Sequence, residues 1–181
     1  EVDFEKVKRA FGARKAFYYD CLDSQQGDDE EDHAFKSRVK SQQDYFDRIR
    51  AIPGMHVREG HLSQGKKKQQ KEVDVLLSVE MLTHAFNKNI TKAVLLSGDG
   101  DFKPLVDALV RIGTWVHVAY DPRIGSKDLA RAADDHSRLD IVTLCSWVKT
   151  DSDARGPYHF PVHYSGFDYD DPILRNNPET R

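Results

Sequence analysis

Apolar positions in this chain come in short blocks whose period switches between helical and extended. Residues 2–12 carry an amphipathic helical pattern, with Asp3 placed as N-cap and Gly12 as the residue that ends it. Residues 14–19, Arg-Lys-Ala-Phe-Tyr-Tyr, then predict an aromatic-rich strand. Residues 24–32 are acidic and polar and read as a loop. Phe35, Val39, Tyr45, Phe46 and Ile49 recur at helical spacing among charges, so residues 33–52 predict a surface helix stopped by Pro53-Gly54. Residues 55–58 predict a short strand. Residues 71–86 are apolar on most sides and predict a largely buried helix. Ala93 to Leu96 form a continuous apolar run, the pattern of a strand covered on both faces. A helix at 102–112, a strand at 114–120, a helix at 127–134 capped by Ser126, and a strand at 139–144 complete the series.

Strands and helices alternate throughout, which predicts an α/β fold: a mainly parallel sheet with helices on both faces, in three layers. Residues 1–149 read as one domain. Residues 150–181 differ, being rich in proline and aromatics without a regular period, and read as an extension that packs on the domain or meets a protein partner. His159 and His163 stand four apart there, but Pro161 argues against a helical metal pair.

Charged residues make up 31% of the 181, and the formal net charge is −3, so any basic surface must be local. One local patch exists: Lys66, Lys67, Lys68 and Lys71 cluster beside Gln69 and Gln70. Such lysines serve either as a solvated loop or as phosphate contacts that read no base sequence. Cys21 and Cys145 give neither a disulfide framework nor zinc-site spacing, and the default is a reducing, cytoplasmic setting. No run approaches the ~20 apolar residues of a membrane span.

The candidate chemistry lies where the apolar strand ends. Ser97-Gly98-Asp99-Gly100-Asp101 puts two carboxylates at a strand-to-helix turn, with Asp101 placed to cap the helix and Pro104 in its first turn. Sites in open parallel sheets form at this carboxyl edge. Two carboxylates so close repel each other, and a hard divalent cation such as Mg²⁺ or Mn²⁺ would relieve that. A turn that only caps a helix would look similar.

Ser-Gly-Asp-Gly-Asp-Phe-x-Pro-Leu-Val at 97–106 resembles the signature of NYN domains, part of the PIN-like nuclease superfamily. Lys71-Glu72-Val73-Asp74-Val75 is similar to the family's Lys-Gly-x-Asp segment, with Glu72 where glycine is usual. Ser126-Lys127-Asp128-Leu129-Ala130-Arg131-Ala132-Ala133-Asp134 resembles its Ser-x-x-Leu-x-x-Ala-Ala-Asp helix. The resemblance implies a Rossmann-like PIN fold and a metal-dependent nuclease, acting on RNA or possibly DNA and more readily as an endonuclease. It implies Asp74, Asp99 and Asp101 as metal ligands, with Ser97 orienting water or a carboxylate. Lys66, Lys67, Lys68, Lys71, Ser126, Lys127 and Arg131 would contact the nucleic acid. Glu80 stands near where the family often has a further acid, and Asp20 ends the first strand at the same edge.

Family members begin one strand earlier, with an Asp-Gly-x-Asn segment in the centre of the sheet that supplies another metal-binding aspartate. No such segment occurs here. The expectation is therefore that the sequence starts inside the domain and that the first central strand is absent from it. The alternative is a module that kept the fold and lost the chemistry, binding nucleic acid or regulating; on either reading a homodimer or a protein partner could form through the C-terminal extension. A Toprim-like reading would need a glutamate at the end of an earlier strand, and the upstream candidates do not sit there.

Overall fold

The computed structural model describes residues 1–23, 25–60 and 71–149. In chain order the elements are α1 (Phe4–Ala10), β1 (Ala16–Cys21), α2 (Asp32–Arg50), β2 (Met55–Gly60), α3 (Lys71–Phe86), β3 (Lys92–Leu96), α4 (Lys103–Arg111), β4 (Trp115–Tyr120), α5 (Lys127–Ala132), β5 (Asp135–Arg138) and α6 (Ile141–Ser146). A single 3₁₀ turn, Gly100–Phe102, leads into α4. The lysines at 66–68 and the extension at 150–181 lie outside the described residues.

Every pairing between these strands is parallel. They form two sheets, β1-β2 and β3-β4-β5, rather than the single sheet expected. Among the described residues no strand joins β1 or β2 to the other three. Helices tie the two halves together. Alternate residues of β1 point to opposite faces: Phe17 and Tyr19 meet α3 through His84 and Glu80, while Tyr18 meets α1 and α2 through Phe4, Tyr45 and Phe46. The second sheet is covered in the same way. Leu95, Val116, Val118 and Tyr120 pack with Leu105, Val106 and Leu109 of α4 and Leu129 and Ala130 of α5. On the opposite face the ring of Phe11 lies 5.8 Å from those of His117 and Trp147. Helices therefore cover both faces of the β1-β2 sheet, while α4 and α5 cover one face of the β3-β4-β5 sheet and the residues that end α1 and α6, Phe11 and Trp147, lie on its other face.

Local chemistry sets the element ends. The Asp3 carboxylate accepts from the amides of Glu5 and Lys6, at 3.1 and 3.2 Å, and starts α1; Gly12 closes it with φ +60°. Phe46 and Ile49 are fully buried on the inner face of α2. Each such side chain contributes roughly 1.5–3 kcal/mol of burial. His117 on β4 bridges to β5 from both ring nitrogens, Nδ1 to Asp135 and Nε2 to Ser137, each at 2.9 Å, beneath Phe11.

Three expectations need correction. The last strand is not at 139–144: β5 is the polar Asp135–Arg138, and residues 141–146 are helical. Asp140 decides this, because its carboxylate accepts from the Thr143 amide at 2.7 Å and caps α6. Secondly, α3 is not buried on most sides. Val73 and Ala85 are buried, but Val75, Val79 and Phe86 are 61%, 55% and 80% exposed, because β1, β2 and α4 all lie on the other side of the helix. Thirdly, the cap at the acidic turn is Asp99, not Asp101.

Candidate functional site

The carboxyl ends of β3 and β4 lie side by side, and the loops that leave them build one cleft. Ser97 continues the ladder by donating its amide to Ala119 O at 3.1 Å. Its hydroxyl oxygen then accepts from the Asp99 amide at 3.1 Å. The Asp99 carboxylate accepts from the Asp101 amide at 2.9 Å, which closes the turn. Asp99 itself is extended, with φ −75° and ψ 119°, as an N-cap must be. Phe102 follows and is buried, anchoring the turn in the core. Pro104 occupies the first turn of α4, as expected. The carboxylate that the sequence placed as cap, Asp101, is thus left exposed beside the cleft.

The second wall is residues 121–126. The Gly125 amide donates to Asp121 O at 2.7 Å, and the Ser126 amide donates across to Gly98 O at 2.8 Å. Asp121 also binds the Arg123 guanidinium through both carboxylate oxygens, at 2.5 to 3.2 Å. That partner holds the Asp121 carboxyl down to about 2. The two walls touch through glycines. A Cβ on Gly98 would come within 2.8 Å of the Gly125 Cα, and one on Gly125 within 2.4 Å of the Tyr120 ring and 2.7 Å of Asp121 O. Ser97, Gly98, Asp99, Gly100, Ile124, Gly125 and Ser126 line the resulting cleft.

Asp74 arrives from a different element, the first turn of α3. Its carboxyl is held above the ordinary aspartate value, first by partial desolvation and then by the charges of Asp99 and Asp101. The fold has therefore gathered the carboxylates from two separate segments into one electrostatic neighbourhood. Their oxygens match a hard divalent cation in chemistry. Among the described residues, however, no group of three His, Cys, Asp or Glu stands close enough to hold a metal ion.

The remaining sequence candidates divide. Ser97 and Ser126 line the cleft with Asp99. The Ser126 hydroxyl caps α5 by accepting from the Leu129 amide at 3.3 Å. Lys127 and Arg131 are exposed on α5 immediately beyond, Arg131 within 3.5 Å of Asp128. For Lys71 only the backbone is described, and Lys66 to Lys68 fall outside the described residues. Glu80 is committed elsewhere: it accepts from the Tyr19 hydroxyl at 2.9 Å and from Arg58 at 3.1 Å. Asp20 folds back on its own strand, accepting from the Tyr18 hydroxyl and the Cys21 amide. Sequence reasoning missed Ile124 as a wall residue and the glycine contact between the walls. The isolated Gly125 before the capping Ser126 was the available signal.

The family described as the NYN domain matches residues 1–140. The chain belongs to the NYN family. NYN domains are part of the PIN-like nuclease superfamily, so the cleft lies on a nuclease-type scaffold. No curated protein matches the sequence. Among solved structures, a protein of unknown function from Vibrio parahaemolyticus is similar, at 18% identity and a TM-score of 0.55 over 78% of this chain and 80% of that one. That likeness bears on the fold, and it agrees with the PIN-like α/β architecture of this NYN domain. No described helix is long and apolar enough to cross a membrane.

Proposed function

We propose that this NYN domain is a metal-dependent ribonuclease that hydrolyses phosphodiester bonds at the cleft between the β3 and β4 loops. One observation carries the reading: the turn from Ser97 to Asp101 holds Asp99 and Asp101 at the carboxyl end of β3, and Asp74, from α3, raised in pKa first by desolvation and then by their charges, lies within range of both. Carboxylates that repel one another at the carboxyl edge of a parallel sheet make a surface that gains from a cation. The donor chemistry suits Mg²⁺ or Mn²⁺, and Asp74, Asp99 and Asp101 would hold such an ion by drawing closer together than they stand in the structure. Such an ion supplies Lewis acidity to the phosphate and to the attacking water.

The protein's own groups do the positioning. Ser97 fixes the Asp99 backbone through its hydroxyl, and Asp99 fixes Asp101 through its carboxylate, so the acidic edge keeps its shape. Ser126 at the other wall, and Lys127 and Arg131 beyond it on α5, would supply a hydroxyl and two cations for backbone phosphates. Lys66, Lys67, Lys68 and Lys71 precede Asp74 in the chain and would hold the same strand without reading its bases.

The test is cleavage of end-labelled single-stranded RNA with Mg²⁺ or Mn²⁺, with EDTA, and with Asp99→Asn combined with Asp101→Asn. Metal-dependent cleavage that disappears in the double variant supports the proposal; cleavage that survives it overturns it. A second reading has one observation behind it, that no three acidic or imidazole groups converge among the described residues. On that reading the domain binds RNA without cutting it, and the same assay would return binding with no products.

A further inference from the structure

An apolar side chain guards the acidic cleft. Ile124 is 85% exposed, more than any other large apolar residue among those described, and it lines the cleft with Ser97, Asp99 and Ser126. A lone exposed isoleucine would need no explanation. The way this one is held gives it meaning. Its own amide donates to Asp121 O at 3.3 Å, the Gly125 amide donates to the same oxygen at 2.7 Å, and the Arg123 amide donates to the Asp121 carboxylate at 2.9 Å. The loop is then locked to the opposite wall by the Ser126 amide on Gly98 O and by the Gly98–Gly125 contact. A rigid loop so bonded holds a β-branched side chain out into water, where it covers no core.

We propose that Ile124 is a base-contact residue that packs against an unstacked base of single-stranded RNA next to the scissile phosphate; this rests on the nuclease reading above. The chemistry around the cleft leaves the apolar role to it. The opposite wall offers carboxylates, and Ser126, Lys127 and Arg131 offer groups suited to phosphate. An isoleucine has no hydrogen-bonding group, so it recognises a base by its face and not its edge. Aliphatic side chains serve in this way as wedges between bases. The contact tolerates any sequence, as base-face contacts do. It also selects single strands, since the bases of a duplex are stacked on one another and present no free face.

The experiment compares binding and cleavage for wild type, Ile124→Ala and Ile124→Trp. Binding is read by fluorescence anisotropy of a labelled single-stranded RNA and of the same oligomer with abasic sites in place of its bases. Wild type is expected to bind the intact strand roughly tenfold more tightly than the abasic one, the order of one lost base contact. Ile124→Ala should bind both alike, and Ile124→Trp should restore the difference. In cleavage, Ile124→Ala should raise KM roughly tenfold and leave kcat within about twofold, as expected for a contact made equally before and during reaction. Equal discrimination against the abasic strand by wild type and Ile124→Ala overturns the inference. So does failure of wild type to bind single-stranded RNA. Absent cleavage with base-dependent binding that vanishes in Ile124→Ala overturns the nuclease reading and leaves the base contact standing.

Discussion

Replacing Gly125 by alanine tests whether the two walls of the cleft are locked together as their contacts imply. The added Cβ would sit 2.4 Å from a Tyr120 ring carbon and 2.7 Å from the Asp121 carbonyl oxygen. Tyr120 is 5% exposed and belongs to the core, so its ring has little room to retreat. Asp121 O already accepts from Gly125, so moving it breaks the loop's own bond. Overpacking of this kind costs about 1–3 kcal/mol. At 2–4 °C of melting temperature per kcal/mol for a protein of this size, that is a fall of roughly 2–12 °C. Gly98→Ala should cost a similar amount, because its Cβ meets the Gly125 Cα at 2.8 Å, whereas Gly100→Ala meets only the Ser126 side chain at 3.2–3.3 Å and should cost least. Thermal unfolding followed by circular dichroism gives the order directly. A Gly125→Ala protein that melts with wild type, or a Gly100→Ala protein that falls further than Gly125→Ala, would refute the packing argument.

Three further outcomes follow from the same geometry. Asp99→Ala should lose about 1 kcal/mol in urea denaturation because it removes the cap on Asp101, while Asp99→Asn, whose amide oxygen can still accept, should lose far less. Asp74 is raised in pKa when folded, so its ionisation opposes folding; Asp74→Asn should raise the melting temperature at pH 7, with the gain shrinking as the pH falls through the raised folded value and gone below about 4, where both proteins carry a neutral group. Asp121 is depressed by Arg123, so their pairing stabilises the fold above about pH 4 and is lost as the pH falls towards 2; the melting difference between wild type and Arg123→Ala should therefore narrow over that window.

Much of this was legible from the residues, and the exceptions have physical causes. The helix at Lys71–Phe86 and the strand after it announced themselves by apolar content, and Asp3 and Ser126 announced themselves as caps. The sequence also put Asp99 and Asp101 at a strand end, but their roles in the turn came out reversed. Either aspartate can cap, and the choice falls to whichever carboxylate the turn brings to a free amide, here Asp99 to that of Asp101. The strand Asp135–Arg138 was missed because its side chains are polar: His117 satisfies Asp135 and Ser137 from the neighbouring strand. Tertiary pairing there overrides composition. The exposed face of α3 was misread because apolar content reports how much of a helix could be buried, not which neighbours arrive to bury it. Asp74 beside Asp99 and Asp101 came from the family resemblance; nothing in their spacing, 25 and 27 residues apart, would have brought them together.

On the proposed function, carboxylates from α3 and from the β3 loop act as one site on a phosphodiester. Single-turnover cleavage of labelled single-stranded RNA in Mn²⁺ by Asp74→Asn addresses it most directly, since Asp74 lies on neither loop of the cleft. A fall of at least about a hundredfold, on the scale of a lost electrostatic group at a reacting centre, with RNA affinity within a few-fold of wild type, is the predicted result. Cleavage at the wild-type rate would contradict it, and would separate Asp74 from the chemistry of the acidic turn.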